Sequence, residues 1–516
     1  MKSRLLLLWL VLPAIAVARE VPITILHTCD LHGNILPVES YEGQTNLGGF
    51  ARCATAIRQV RAEHPNAVLI DAGDTFQGAA VSYLSDGKVM VRLLNQLRYD
   101  AWVWGNHEFD WGLVKLTACA ELAEMPILAA NLHGTSSIAA QVRPYRIVEV
   151  DGVKVGIIGL TTPGIPSWSR PQLITGLRFE DSVETLRNVV PIIRQAGAKV
   201  IVLVVHQGYR EDGDDHANQI NAIAGHFPEI DVIIGAHTHR NFSEFKIKNV
   251  LYTQAAYHGI RLGRVDLVYD TTAGQLTRRE TKTVLLDESL PLDPVVLTAC
   301  APELEQSKKL LCSVIGEATG DFDIRNAPKR ETTMYNLIFE SIVAALSNRN
   351  IKVDAVIHGV LEKRMMLKSG PVTVGDIWRA VPYENTLGVC YLNETELREI
   401  LDENAGAYNN PSFRGIWGLH WEFNPKAVAG QHTVKLTRPD GTPFCTGERL
   451  AVVFNSYDLA GGGLRWPKLR EIANRPACQL LETEVQTRQA VLDYIRQQGK
   501  ISPVIHGWWK AVTDSR

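Results

Sequence analysis

The stretch Gly105-Asn106-His107-Glu108-Phe109-Asp110 decides how this chain is read. It follows Ala101–Trp104, an apolar run of strand type, so its polar groups emerge just past a strand's C-terminal end. Open α/β sheets place ligands there, because side chains and backbone amides converge without covering helices. An amide able to ligate a hard cation, an imidazole and two carboxylates sit within this one short stretch. Packing alone gives no reason for that density.

Four more polar clusters follow other apolar runs in the same half of the chain. Runs at Ile23–Leu26, Ala67–Ile70, Val155–Leu160, Val200–Val205 and Val232–Ile234 predict strands. Segments with helical spacing lie between them at Phe50–Arg61, Val89–Leu97, Leu113–Leu122 and Val183–Arg194. Such alternation predicts an α/β layer fold. Asp30 and His32 follow the first run and Gly73-Asp74 the second; His206 follows Val200–Val205, and His237 and His239 follow Val232–Ile234.

Asp30, His32, Asp74, Asn106, His206, His237 and His239 form a mixed oxygen and nitrogen donor set. It suits Zn, Mn, Fe or Co better than Ca, which takes oxygen throughout. The set exceeds what one tetrahedral site uses. Two divalent ions sharing a bridging carboxylate fit it better, an arrangement that clamps the attacking and leaving oxygens of phosphoester hydrolysis. A single His after a strand more often packs than ligates; the recurrence of the pattern carries the reading.

Lys2 and Arg4 precede the apolar run Leu5–Val17, and Ala16-Val17-Ala18 supplies the small residues of a cleavage site, so residues 1–18 read as a signal peptide. The run is too short to span a bilayer. No Cys follows it, and Trp508-Trp509-Lys510 near the C-terminus is no anchor, so the expected product is exported, periplasmic or extracellular, without a stable membrane anchor. Removing Lys2 and Arg4 takes the formal charge from −3 to −5, which argues against a nucleic-acid polymer as partner. The 8 cysteines permit disulfides in an exported chain, and Cys300 and Cys312 are close enough in sequence to close a small loop. Nothing in the sequence fixes an oligomeric state.

From Tyr252 to Tyr269 the pattern shifts to short strands separated by Gly, and Glu331–Arg349 reads as one long amphipathic helix. The boundary is placed there. Residues 19–330 form the expected catalytic domain, 331–349 an interdomain helix, and 350–516 a smaller α+β domain.

The series Asp30-x-His32, Gly73-Asp74, Gly105-Asn106-His107-Glu108, His206 and Gly235-x-His237-x-His239 resembles the calcineurin-like metallophosphoesterases. His107 with Asp110, together with a second domain, resembles the exported 5′-nucleotidase branch. The resemblance implies a four-layer α/β/β/α catalytic domain with two metals. Asp30, His32, Asp74 and His239 would hold one, and Asp74, Asn106, His206 and His237 the other, with Asp74 bridging. His239 stands where some members carry Gln, and Cys29 where Asn is common. His107, oriented by Asp110, would donate to the phosphoryl oxygens.

The C-terminal region resembles the 5′-nucleotidase substrate-binding domain through Gly370–Ile377 and Pro382-Tyr383-Glu384-Asn385. Phe413 matches the first of two base-stacking aromatics, and Trp466 stands where Phe or Tyr is usual for the second. A Gly-Gly-Gly-Ile-Arg loop of the family reads Gly359–Arg364 here, with Arg364 keeping the anion-binding role and bulky residues replacing glycines. Gly462-Gly463-Leu464-Arg465 replaces another glycine loop, where Arg465 would supply a further cation. The expected function is two-metal hydrolysis of phosphomonoesters, with nucleotides as the first substrate class. The alternatives are another phospho- or sulfo-ester on the same metals, or a metal-loaded nucleotide-binding protein without turnover.

Overall fold

A computed structural model describes residues 19–360, 362 and 366–512. The signal-peptide segment and Arg364 lie outside the described residues. Two sheets form the N-terminal half. The first runs Gln275–Leu285, Arg261–Asp270, Glu20–Thr28, Val68–Asp71, Ala101–Val103, Ile127–Leu128 and Val142–Arg143 in spatial order. The second runs Asn241–Ile247, Val250–Ala255, Val232–Ile234, Val200–Val205, Val153–Leu160 and Tyr145–Val150. Their central strands pair in parallel.

Side-chain alternation along each strand builds the layers. Val68 and Ile70 join Val200, Val202, Val204, Val232 and Ile234 in a core between the sheets. Leu69 and Trp102 turn the other way, onto helices Phe50–Glu63 and Lys88–Gln96. Ile201, Leu203 and Ile233 likewise turn outward onto helices Ser182–Gln195 and Ile220–His226. The order is therefore helix, sheet, sheet, helix. A strand buried on both faces needs apolar residues at every position, which is why these runs are continuous in the sequence.

The C-terminal half has a five-stranded sheet ordered Gly415–Trp417, Ala355–His358, Leu450–Asn455, Thr386–Leu392 and Leu481–Gln486. Its boundary differs from the expected one. Helix Thr333–Ser347 is not a connector: Met334, Ile338, Phe339, Ile342 and Leu346 are buried in the C-terminal core. Strand Val314–Ala318 already belongs to this half, since it pairs with Gly370–Thr373 and Lys500–Ile501. Helix Ala301–Leu311, mostly exposed, links the halves instead. The same helix separates Cys300 from Cys312, its two caps, by about 18 Å at the α-helical rise, so no small loop is closed there. All the cysteines are free thiols.

A buried ion pair ties the C-terminal sheet to its loops. Arg414 donates from Nε and Nη2 to the two carboxylate oxygens of Asp458, each at 2.8 Å, with side chains 4% and 1% exposed. Asn455 adds a bond to Asp458 at 2.7 Å. Removing one partner of such a pair leaves a buried charge alone. Asp458→Ala should therefore cost about 3–5 kcal/mol in urea unfolding of this half. Arg414→Met with Asp458→Leu should recover most of that loss; an equal or larger loss in the double variant would refute the assignment.

Candidate metal centre

Each candidate ligand is delivered by a turn just after a strand. Asp30 follows Glu20–Thr28, Asp74 follows Val68–Asp71, Asn106 follows Ala101–Val103, His206 follows Val200–Val205, and His237 follows Val232–Ile234. The turns are tight enough to force unusual backbone. Asp30 (φ 49°), His32 (48°), Asp74 (55°), His237 (70°) and His239 (55°) all occupy the left-handed region. Non-glycine residues there cost on the order of 1–3 kcal/mol each, and such strain gathers at functional sites. Glycines make the close approach possible. A Cβ on Gly105 would lie 2.2 Å from Asp74 Oδ1, and one on Gly73 would lie 2.5 Å from the Gly105 amide.

The side chains meet in two groups, Asp30 with His32 and His239, and Asp74 with His206 and His237. Within each group the donor atoms all lie within 4.8 Å of one another. Asp74 joins the groups: its Oδ2 is 3.0 Å from His206 Nε2 and 3.9 Å from His32 Nε2. His32 and His206 are oriented by backbone carbonyls. Each pairs its Nδ1 with one, Gln77 at 2.7 Å and Ala72 at 2.8 Å. A carbonyl only accepts, so Nδ1 carries a proton in each ring and Nε2 is the nitrogen that faces the cluster.

Charge in the pocket favours cations. Burial lowers His32 to about 4 and His237 to about 3, leaving both neutral, the state in which imidazole ligates. Burial also pushes Asp30 up to about 7 and Glu108 up to about 8, since these carboxylates share one dry space with Asp74. For His206 burial works against charge, yet Asp74 and Asp30 hold it up to about 9. A proton on His206 does there what a divalent ion would do better. Asn106 Oδ1 is buried without a hydrogen-bond partner, an acceptor left for a cation. The residues present therefore fit a pair of divalent ions.

Beside the groups, His107 Nδ1 pairs with Asp110 Oδ2 at 2.6 Å, and its backbone amide donates to Asp74 Oδ1 at 2.8 Å. Burial disfavours charge on this ring, but Asp110 and Asp74 outweigh it and raise His107 to about 10. Glu108 has a role that sequence reasoning misses. Its carboxylate accepts from the amides of Gly105 (2.7 Å), Asp74 (3.0 Å) and Thr75 (2.7 Å), clamping two ligand turns together. A Glu one position after His carries no periodic signal that would reveal this. Cys29 donates to the Ala256 carbonyl at 3.4 Å, and burial holds its thiol protonated.

The C-terminal half closes over this centre. Gln77 donates to Pro382 O (3.0 Å) and to Glu384 (3.2 Å), and Trp378 Nε1 donates to Gly78 O (2.8 Å). Tyr383 stacks beside His107 with ring centres 6.2 Å apart. Gly463 donates to Ser167 O at 3.0 Å next to Trp168, whose ring lies 5.1 Å from that of His237. Arg465 is exposed on the same loop and reaches the Tyr457 hydroxyl at 3.3 Å. The two rings expected to stack a base are both buried. Phe413 is 1% exposed and packs among Trp421, Phe423 and Trp509, and Trp466 is 2% exposed in the same core. In this conformation neither offers a free face.

A family model described as calcineurin-like phosphoesterase matches residues 23–241, and one described as the 5′-nucleotidase C-terminal domain matches residues 314–471. The chain is a calcineurin-like phosphoesterase with a 5′-nucleotidase C-terminal domain. It is 26% identical to snake venom 5′-nucleotidase of Naja atra, covering 94% of this chain and 98% of that one. To 5′-nucleotidase of Homo sapiens it is 25% identical, covering 96% and 91%. A crystal structure of a 5′-nucleotidase precursor from Thermus thermophilus superposes with a TM-score of 0.73 at 26% identity, covering 96% of this chain and 100% of that one.

Replacing Asp74 by Ala should remove both metals and all hydrolysis, because two cations without a shared anion repel at close range. Metal analysis showing two ions per chain with near-normal turnover would overturn the bridging role. His107→Ala should keep the metals while lowering turnover roughly 100- to 1,000-fold, the scale of a lost charge-stabilising donor. Metal loss in that variant would make His107 a ligand or its support.

Proposed function

We propose that this phosphoesterase releases phosphate from phosphomonoesters, with 5′-nucleotides as its substrate class, outside the cytoplasm. The observation that carries the reading is Asp74 standing between two ligand groups with the His107–Asp110 pair alongside. Zn, Mn, Fe or Co would be held by Asp30, His32, Asp74 and His239 at one position and by Asp74, Asn106, His206 and His237 at the other. When bound, such ions polarise the phosphoryl oxygens and acidify the attacking water. His107, kept cationic by Asp110 and Asp74, donates to the phosphoryl oxygens as negative charge spreads over them. Glu108 holds the Asp74 and Gly105 turns fixed while this happens. Export is inferred from residues 1–18, and among the described residues no helix is long and apolar enough to cross a membrane.

Burial bears on where a base would be recognised. Trp168 and Tyr383 lie beside the metal centre, on the cleft between the halves. Phe413 and Trp466 can clamp a base only if the C-terminal core uncovers them; as core residues they need no such motion. The two roles separate by measurement. In the core, Phe413→Ala should cost about 3–5 kcal/mol of stability. It should then affect nucleotide and aryl phosphate turnover alike. As a clamp it should raise KM for nucleotides about ten- to a hundredfold and leave aryl phosphate untouched, from the ~1–3 kcal/mol of base stacking.

The function itself is tested by a screen of nucleotides, nucleotide sugars, cyclic nucleotides and an aryl phosphate with Mn, Zn or Co added. Phosphate release from 5′-nucleotides is the expected result. Release from the aryl phosphate alone would move the substrate to another ester, and binding without release from any ester would make the chain a binding protein.

A further inference from the structure

The imidazole ligands do not share one kind of support. His32 and His206 pair their Nδ1 atoms with backbone carbonyls, whereas His239 pairs its Nδ1 with the phenol oxygen of Tyr41 at 2.9 Å. The opposite nitrogen of His239 faces the cluster, 3.5 Å from Asp30 Oδ1 and 3.0 Å from His32 Nε2. We propose that Tyr41 is a positioning residue for the metal held by Asp30, His32 and His239, setting the ring angle and tautomer of His239 from outside the ligand set. This rests on the two-metal reading above.

The phenol is held for that task. Its ring stacks on Tyr257 with centres 4.0 Å apart and planes 14° from parallel, and its own amide donates to the Tyr257 hydroxyl at 2.7 Å. The loop that carries it is closed by paired bonds between Val38 and Leu47, at 2.8 and 3.0 Å. Ser40 Oγ accepts from the amides of Glu42 and Gln44 inside that loop. Tyr41 is thus fixed although its side chain lies at the surface.

A phenol differs from a carbonyl in that it can donate as well as accept. With a cation on Nε2, His239 must carry its proton on Nδ1, so the Tyr41 oxygen accepts. With the site empty, Nε2 can instead carry the proton and donate to the bare Nε2 of His32, and the Tyr41 hydroxyl then donates to Nδ1. The pair serves both states by turning one hydroxyl. A backbone carbonyl could serve only the first. Losing an outer-shell partner of a metal-ligating His lowers affinity by about 10- to 100-fold.

The test is Tyr41→Phe, which keeps the stacked ring and removes one oxygen. Cobalt is titrated into the metal-free protein, and occupancy is read from the visible absorption of the bound ion and from elemental analysis after dialysis against graded chelator. The expected result is one cobalt bound about 10- to 100-fold more weakly with an altered absorption band, the other unchanged. Thermal melting of the metal-free variant should match the parent, which excludes a folding defect. In a His239→Gln background the same Tyr41→Phe change should have no effect, because no imidazole remains to orient. Unchanged cobalt affinity and spectrum, or an equal loss in the His239→Gln background, would overturn the proposal. Failure of the parent itself to bind two cobalt ions would instead strike the two-metal reading.

Discussion

The active end of this molecule depends on keeping several carboxylates and imidazoles in one dry space. Asp30, Asp74 and Glu108 are all at most 2% exposed, with His32, His206 and His237 among them. Two like charges 4 Å apart repel by about 4 kcal/mol at the effective dielectric of a protein near its surface, and by more deeper in. Left-handed backbone at five of the candidate ligands adds conformational cost. Within the cluster a proton on His206, held between Asp74 and Asp30, relieves the first cost only in part, and nothing there relieves the second. Cations relieve the first, and the second must be carried by the scaffold.

The scaffold can carry it because the central strands of both sheets are buried on both faces. Strands Val68–Asp71, Ala101–Val103 and Val200–Val205 are fully buried along their length, so their ends cannot shift without opening three layers of packing. Glu108 then converts that rigidity into a fixed turn. It receives three amides from the two loops that supply Asp74 and Asn106. Even burial, which pushes its carboxyl up, is offset in part by those donors. Asp74 is consequently placed by the backbone rather than by its metal-facing neighbours.

Much of this is legible in the sequence, and for a physical reason. Doubly buried strands read as unbroken apolar runs, so the runs Val200–Val205 and Val232–Ile234 coincide with the observed strands. Polar residues directly after such runs have few uses besides a site, which exposes Asp30, Asp74, Asn106, His206 and His237 to view. Helix Thr333–Ser347 reads as a connector because length and periodicity are the same for a linker and for a buried core helix; only its tertiary partners distinguish them. Phe413 and Trp466 show the same limit, since an aromatic at a motif position reads alike whether the fold exposes or buries it, and both are buried here. Tyr41 lies in a polar loop of exposed type, and nothing local ties it to a residue about two hundred positions away.

Gln77 links the metal centre to the cleft through one residue. Its carbonyl orients His32, while its side-chain amide donates to Pro382 and Glu384 across the cleft. Next to it, the Gly78 carbonyl accepts from Trp378, whose ring lies 3.9 Å beneath the Arg488 guanidinium, and Arg488 in turn pairs with Glu384 at 2.7 Å. The C-terminal half therefore grips the same short turn that sets a ligand's tautomer. A rotation of that half would have to break these bonds at Gln77 and Gly78 before it widened the cleft. Because the carbonyl of Gln77 is anchored to His32 within the N-terminal half, and only its side chain reaches across, the turn can lose the second grip without losing the first. The geometry of the candidate ligands is thus tied to the cleft by contact at Gln77.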